Sequence, residues 1–288
     1  MNDQAGINQQ AGSVALVGAG PGGADLITVR GARAIGDADV IVADRLADPE
    51  LLRYASPTAE IIDVGKCKGN GPTQAAINAI LIDRAGNGLR VVRLKGGDPF
   101  MFGRGGEEID ALIEAGIAWE IVPGVTSALA APALAGISVT ERGMAASVTV
   151  ISGHRADAAA AYRWGALAQA TDTLVVLMAA STSADIACGL IAAGRSPDLA
   201  VAACHRAGHP GAQTAVMTLR ELAEQGCPFP SPTVLVIGEV AAHQRVSTES
   251  QARSQALNVG NTGPRSATRS MVSGSLPAAA TRSAPILS

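Results

Sequence analysis

The chain has 288 residues, of which 48% are hydrophobic, enough for the core of one large or two smaller domains. Aromatic residues make up 2% and the formal net charge is −3, so a base-stacking surface for nucleic acid and general polyanion binding are both disfavoured. No apolar run approaches the roughly 18 residues that span a bilayer, so we expect neither a nucleic-acid partner nor a membrane partner.

The first twelve residues are polar and lack the basic start and apolar centre of a secretion signal, so cytoplasm is the expected compartment. The cysteines Cys67, Cys188, Cys204 and Cys227 form no CxxC pair, and no His/Cys cluster has the spacing of a zinc site. We therefore expect incidental or buried thiols and no metal.

Short β-branched runs alternate along the chain with alanine-rich segments of helical length, which predicts an α/β fold with largely parallel strands. The predicted strands are Val14–Val17, Val40–Ala43, Ile61–Val64, Val91–Leu94, Val148–Ile151, Thr173–Leu177, Ala200–Ala203 and Val234–Ile237. The predicted helices are Leu26–Ile35, Gln74–Ala85, Glu107–Ala115, Ser127–Ala135, Ser183–Ala193 and Leu219–Gln225. The run Ala118–Val122, followed by Pro123-Gly124, marks the predicted change between two halves.

This pattern predicts an N-terminal α/β domain over residues 13–122 and a C-terminal α/β domain over residues 123–243. Residues 244–288 are rich in Ser, Thr, Ala and Gly, with five arginines and one glutamate. Little in them can bury enough apolar surface to offset the entropy of ordering, so we predict a disordered tail. A nucleic-acid or partner-binding arm is the alternative, which the dispersed arginines disfavour.

A glycine-rich loop, Gly18-Ala-Gly-Pro-Gly-Gly23, follows the first predicted strand. It satisfies GxGxxG, and Asp44 ends the next predicted strand. In a dinucleotide site the glycines admit a pyrophosphate and the acid holds a ribose, so a Rossmann-type NAD or FAD oxidoreductase is one hypothesis. A tight turn that binds no ligand is another.

A second glycine-rich segment runs from Arg93 to Glu108, where a short apolar strand leads into a loop with several charged side chains. Glycine lets a backbone approach a ligand closely. Charges this dense beside such a loop indicate recognition of a polar ligand rather than a core segment.

The Arg93–Glu108 segment resembles the central motif of the uroporphyrinogen-III C-methyltransferases, which belong to the tetrapyrrole methylase family. Further stretches resemble that family in the same order, and the resemblance covers Ser13 to about His243. They are Gly18-Ala-Gly-Pro-Gly22, Asp44-Arg-Leu46, Gly65-Lys66, Pro123-Gly-Val-Thr-Ser127, Thr140-Glu-Arg-Gly143 and Ser152-Gly-His154. The chain departs from the family at Gly23 (usually Asp), at Glu141 (usually His) and in residues 67–73, which are shorter and lack a common histidine.

The resemblance implies two α/β domains of the tetrapyrrole methylase type with a ligand cleft between them. It also implies methylation of two pyrrole carbons of uroporphyrinogen III, giving precorrin-2 for sirohaem or cobalamin synthesis. The implied methyl donor is S-adenosylmethionine, the by-product S-adenosylhomocysteine, and the assembly a homodimer. A sister methylase acting on a later corrin intermediate is the alternative, because substrate choice depends on the pocket. The length leaves no room for an added dehydrogenase–chelatase domain, so a fused sirohaem synthase is not expected.

The resemblance also assigns roles to single residues. Asp44 and Lys66 match the positions of a proton acceptor and a proton donor. Arg104 and Arg142 are expected to bind substrate carboxylates, because a planar guanidinium donates two parallel hydrogen bonds to a carboxylate. Glu107 is expected to orient Arg104 or to accept a pyrrole N–H, unless it only stabilises the first turn of a helix. The residues expected around the methyl donor are Pro21, Gly96, Gly97, Asp98, Met101, Thr126, Ser127, Met178 and Ala207.

Overall fold

The computed structural model describes residues 12–65, 71–154 and 162–245, and two five-stranded sheets organise them. The first sheet contains β1 (Ser13–Gly18), β2 (Val40–Ala43), β3 (Glu60–Asp63), β4 (Arg90–Lys95) and β5 (Ala118–Val122). Its strand order is β3-β2-β4-β1-β5, and every pairing in it is parallel. The carboxyl ends of these strands therefore meet at one edge of the sheet, where open α/β sheets build ligand sites.

Helices cover both faces of the first sheet, as a parallel sheet requires. They are α1 (Val29–Asp37), α2 (Gln74–Gly86) and α3 (Gly105–Glu114), with 3-10 turns at Ala24–Leu26 and Pro49–Tyr54. Strand alternation sends Leu16 to a core that contains Leu81 and Leu112 of α2 and α3. It sends Val17 to a second core with Ile35 of α1.

The second sheet contains β6 (Val148–Ser152), β7 (Thr173–Leu177), β8 (Ala200–His205), β9 (Gln213–Thr218) and β10 (Thr233–Ile237), in the order β6-β7-β10-β8-β9. Four helices accompany this sheet, and a 3-10 turn at Glu239–Ala242 follows its last strand. The helices are α4 (Ser127–Leu134), which precedes β6, α5 (Trp164–Ala170), α6 (Ser183–Ala192) and α7 (Leu219–Gln225). Two apolar cores lie against its faces.

The prediction of largely parallel pairing is wrong for this second sheet. Only β6 and β7 pair in parallel, whereas β10 runs antiparallel to both β7 and β8, and β8 antiparallel to β9. A short loop without a helix joins β8 to β9, and such a connection allows only antiparallel pairing of neighbours.

The predicted α/β class is confirmed, and each predicted strand lies within two residues of an observed one. Strand β9 was not predicted, and neither was α5. The predicted helix Leu26–Ile35 is divided, because Thr28 caps a new helix by accepting a hydrogen bond from the Gly31 N–H at 3.1 Å.

The described residues form one compact unit, and the proposed division near Val122 stays a prediction. Two residues of the predicted tail are bonded to the turn after α4. The Gln244 side chain donates to the Ala135 carbonyl at 3.0 Å, and the Arg245 N–H donates to the Gly136 carbonyl at 2.9 Å. Residues 246–288, the rest of that prediction, lie outside the described residues. In the described part of the chain, the helices are too short or too polar to cross a membrane.

Candidate active site

Four backbone segments meet at the carboxyl end of β1: residues 18–23, 96–98, 123–127 and 206–209. Gly20 and Gly97 exchange backbone hydrogen bonds, with N to O distances of 3.2 and 2.7 Å. The Gly23 N–H donates to the Gly208 carbonyl at 2.7 Å. Backbone atoms of both halves of the chain are therefore in direct contact here.

The glycines of the first loop serve this contact between backbones. A Cβ atom at Gly22 would lie 2.7 Å from the carbonyl oxygen of Ala207, and Gly20 has a φ of +82°. A dinucleotide loop leads directly into a helix whose N-terminus holds the pyrophosphate. Here a 3-10 turn follows, and α1 begins only at Val29. The oxidoreductase interpretation of this loop is therefore not supported.

A cavity of about 480 Å³ opens beside the four segments, within the size range of small-molecule sites. It brings together residues from both halves of the chain, including most of the predicted site. The predicted residues that line it are Pro21, Asp44, Gly96, Met101, Arg104, Ser127, Met178 and Ala207.

Three predicted donor-site residues, Gly97, Asp98 and Thr126, are not part of the cavity lining but stabilise the segments that form it. Asp98 accepts a hydrogen bond from the Phe100 N–H at 2.9 Å through Oδ1 and one from the Gly124 N–H at 3.1 Å through Oδ2. Gly97 adopts a φ of +68° within its bridge to Gly20, and the Thr126 hydroxyl caps α4. Asp98 therefore connects segment 96–98 to segment 123–127 by a hydrogen bond.

The remaining predicted residues lie elsewhere. Lys66 falls outside the described residues. Arg142 lies on an exposed turn and is not part of the cavity lining. Glu107 lies in the first turn of α3 and binds Arg104 through two hydrogen bonds of 2.7 and 2.6 Å. These hydrogen bonds hold the pKa of the Glu107 carboxyl below its ordinary value, and Glu107 in turn fixes the orientation of the Arg104 guanidinium.

Backbone strain is concentrated around the cavity. Among the described residues, the non-glycine residues with positive φ are Phe102 (54°), Arg104 (58°), Met178 (57°) and Arg206 (48°). All four line the cavity. Such conformations cost about 1–3 kcal/mol each and cluster at functional sites, because the surrounding structure must enforce them. Phe102 and Arg206 were missed, since their sequence carries no sign of an unusual φ.

The cavity lining is strongly cationic. Its charged side chains in the described part of the chain are five cations and a single carboxylate, that of Asp44. The cations are Arg45, Arg93, Lys95, Arg104 and Arg206. Arg93 and Lys95 are paired with the buried Glu108, whereas Arg45, Arg104 and Arg206 are exposed and favour a ligand that carries negative charges.

Two of these cations belong to a buried network behind Asp44. Arg93 and Lys95 point to the same face of β4, toward Glu108 of α3, and all three side chains are at most 4% exposed. Glu108 binds Arg93 Nε through Oε1 at 2.9 Å and Lys95 Nζ through Oε2 at 2.8 Å. Arg93 Nη2 donates to Asp44 Oδ1 at 2.7 Å. Burial lowers the pKa of Lys95, with the nearby Glu108 opposing that shift.

Cys204 lines the cavity, and its burial raises the pKa of its thiol to about 11 from an ordinary value of 9.0. The folded state therefore keeps its proton between pH 9 and 11, where the unfolded chain loses it, and stability falls as the pH rises through this window. We expect wild type to lose about 2–3 kcal/mol more than Cys204→Ala over this window.

Denaturant titrations at pH 8 and pH 11 measure this difference. Comparing the two proteins cancels the opposite contribution of Lys95, whose lowered pKa makes stability rise with pH. Cys188→Ala is the matched control, because that thiol is exposed. Equal pH dependence in wild type and Cys204→Ala would show that the Cys204 thiol ionises freely in the folded state.

In the part of the chain that is described, no three His, Cys, Asp or Glu side chains are grouped so as to hold a metal ion.

Comparisons with known proteins agree with the geometry. The model of the family described as Tetrapyrrole (Corrin/Porphyrin) Methylases matches residues 13–223. A siroheme synthase of Neisseria meningitidis serogroup B is 44% identical over 247 residues, which make up 85% of this chain and 51% of that protein. The chain thus spans about half the length of the curated relatives it matches.

Two solved structures share the fold over most of the chain. A uroporphyrin-III C-methyl transferase from Thermus thermophilus, complexed with S-adenyl homocysteine, is 37% identical with a TM-score of 0.71, covering 81% of this chain and 100% of that one. A cobalt precorrin-4 methyltransferase is 26% identical with a TM-score of 0.71, covering 80% of this chain and 95% of that one.

Proposed function

Because the chain belongs to the tetrapyrrole methylase family, we propose that it transfers methyl groups from S-adenosylmethionine to two pyrrole carbons of uroporphyrinogen III, giving precorrin-2. The observation that carries this proposal is the cavity, where the family's glycine loops lie beside three exposed arginines, Arg45, Arg104 and Arg206, and the carboxylate of Asp44. Uroporphyrinogen III carries eight carboxylates, and the cationic lining matches such a substrate.

The glycine-rich side of the cavity fits the methyl donor. Gly97 leaves open space where a side chain would stand, since a Cβ there would meet only the Ser127 N–H, 3.9 Å away. Met178 and Ala207 add apolar surface from the second half of the chain. Pro21, Gly96, Ser127 and Met101 complete the proposed donor side. The donor supplies an activated methyl group on a sulfonium, and the residues named here hold and orient it.

The other side of the cavity fits a tetrapyrrole. Leu46 and Phe102 line it and are 50% and 44% exposed, an apolar rim suited to the face of a macrocycle. Arg45, Arg104 and Arg206 stand beside this rim and are proposed to bind the carboxylates. Arg142, on its exposed turn, is proposed to bind a carboxylate that extends beyond the cavity.

The reaction forms a bond between a pyrrole carbon and the methyl carbon, while the sulfur keeps the electron pair of the bond that breaks. Holding the two in line accounts for up to about 7–11 kcal/mol of the barrier. The methylated macrocycle is cationic and then loses a proton, which Asp44 is proposed to accept. Lys66 is proposed as the proton donor on the strength of the family match.

Incubation with uroporphyrinogen III and methyl-labelled S-adenosylmethionine tests the proposal. Mass analysis should show a product that has gained two labelled methyl groups. If uroporphyrinogen III gains none and a later corrin intermediate is methylated instead, the sister-methylase alternative is correct.

Replacing Arg104 by Lys keeps the charge but removes the planar fork that Glu107 orients. A hydrogen bond to a charged group contributes about 1.5–3 kcal/mol, so kcat/KM for the tetrapyrrole should fall roughly 10- to 100-fold. Binding of S-adenosylhomocysteine, measured by calorimetry, should be unchanged.

Arg84→Lys is the matched control for this substitution. Arg84 makes the same two-bond contact with Glu60, at 3.0 and 2.9 Å, but does not line the cavity. Turnover of Arg104→Lys at the rate of the Arg84→Lys control would place Arg104 outside the substrate site.

We also propose that the chain forms a homodimer in the cytoplasm, as the family resemblance implies. Leu129 and Leu134 of α4 are each 52% exposed, and contact with a second copy would bury such apolar side chains. Light scattering measures the molar mass, and a monomer at micromolar concentration would disprove the dimer.

A further inference from the structure

The charged side chains behind the cavity form an alternating series. Asp44 is 31% exposed, while Arg93, Glu108 and Lys95 are 2%, 0% and 4% exposed. Each contact in the series is a hydrogen bond between opposite charges, from 2.7 to 2.9 Å long. Both ends of the series, Asp44 and Lys95, reach the cavity lining.

Charged side chains such as those of Arg93, Glu108 and Lys95 are rarely buried inside a domain. The core on this face of the first sheet is otherwise aliphatic, with Leu16, Leu81 and Leu112 among its members. Burying ions is costly, and aliphatic residues of similar volume generally serve stability as well or better. At the other end of β4, Arg90 instead pairs with Asp39 at the surface. Buried charges therefore lie at the end of the strand that faces the cavity.

Four of the five N–H donors of Arg93 have fixed partners. Nε binds Glu108, Nη1 donates to the carbonyl oxygens of Val42 and Leu94 at 3.2 and 3.3 Å, and Nη2 binds Asp44 Oδ1. Within the described residues, the second carboxylate oxygen of Asp44 has no hydrogen-bond partner. It remains available to a molecule in the cavity.

The carboxylate of Glu108 accepts hydrogen bonds from three side chains. Lys95 binds one of its oxygens, and Gln74 donates to the other at 3.2 Å, beside the bond from Arg93. A carboxylate with three donors cannot rotate away from the guanidinium that it orients. The position of Arg93, and through it that of Asp44, is therefore set from inside the core.

We propose that Arg93 and Glu108 are positioning residues for methyl transfer, which fix one oxygen of Asp44 so that the other faces the substrate. This inference rests on the proposed function, in which Asp44 accepts the proton of the methylated macrocycle. Arg93 and Glu108 act through Asp44 and do not themselves touch the reacting atoms.

A double-mutant cycle tests the inference. Arg93→Lys and Glu108→Gln are each made in wild type and in Asp44→Asn, and single-turnover methylation is measured per S-adenosylhomocysteine-binding site. That normalisation counts folded protein alone. Each substitution should lower the wild-type rate about 10- to 100-fold, the effect of losing a hydrogen bond to a charged group, with KM changing much less. In Asp44→Asn it should cause less than about a two-fold further loss.

Asp39→Asn is the control, because it breaks the ion pair at the opposite end of β4, and it should leave the rate unchanged in both backgrounds. Losses that multiply in the double variants would overturn the inference, since the two residues would then act independently of Asp44. Loss of donor binding in both single variants would also overturn it, because the network would then hold the fold. Absence of methylation by wild type would instead refute the proposed function.

Discussion

Asp44→Asn is expected to lower the single-turnover rate of methyl transfer by about 10²–10⁴-fold, the usual consequence of removing a general base. Asn has nearly the shape of Asp and can still accept the hydrogen bond that Arg93 donates to Oδ1. It cannot take up a proton. The cationic macrocycle formed by the new carbon–carbon bond would then have to lose its proton to water.

Rapid-quench measurement of single turnovers and calorimetry with S-adenosylhomocysteine, on one preparation, separate chemistry from donor binding. The rate should fall while donor affinity stays unchanged. Asp63→Asn is the matched control, because Asp63 ends the neighbouring strand β3 and does not line the cavity. Its Oδ1 accepts a hydrogen bond from the Gly65 N–H at 2.7 Å, which Asn can also accept.

Two outcomes would contradict this role. An unchanged single-turnover rate would remove Asp44 from the mechanism. Weakened nucleotide binding at an unchanged rate would instead indicate that Asp44 holds a ribose, as in a dinucleotide site.

Much of the fold follows from local sequence. Runs such as Thr173–Leu177 contain only β-branched residues and leucine, because those strands are buried on both faces, and they were predicted with little error. Strand direction in the second sheet was not predictable in this way, since a short apolar run has the same composition in either direction. Strand β9 was missed because it begins with two polar residues and its apolar run is only three residues long.

The sequence predicted which loops form the site better than it predicted the contacts of their side chains. The glycine motifs, which follow the same order as in the family, predicted where backbone segments approach each other closely. Arg93 and Lys95 resemble surface charges in the sequence, and they are buried only because Glu108 of α3 lies opposite them. The predicted contact of Asp98 with the donor stays a prediction; its two oxygens accept hydrogen bonds from the N–H groups of Phe100, in its own loop, and Gly124. Such assignments depend on tertiary contacts that no local pattern contains.

Gly124→Ala is expected to disturb the contact between the loops that contain Gly18, Gly97 and Gly124, and so to lower stability, donor binding and activity. A Cβ atom at Gly124 would lie 2.2 Å from the Gly97 carbonyl oxygen and 2.6 Å from the Gly18 Cα. Both neighbours are backbone, so no side-chain rotation can relieve the overlap. At least one of the segments that contain Gly18, Gly97 and Gly124 must therefore move. These three segments form the proposed donor side of the cavity.

Overpacking of this kind costs about 1–3 kcal/mol of unfolding free energy. A displacement of about 1 Å at a reacting site can lower a rate about 10²-fold, and we expect a loss of that order in methylation by Gly124→Ala. Binding of S-adenosylhomocysteine should weaken at least tenfold, because the loop backbones are proposed to form its site. Denaturant titration, single-turnover kinetics and calorimetry measure these three effects.

Gly86→Ala is the matched control. Gly86 is the last residue of α2, and a Cβ there meets no atom within 4 Å. Alanine is favoured over glycine in a helix, so this variant should be neutral or slightly more stable, with unchanged activity. If Gly124→Ala bound S-adenosylhomocysteine and methylated as well as Gly86→Ala, the three loops would tolerate separation. The close approach of Gly18, Gly97 and Gly124 would then not define the donor site.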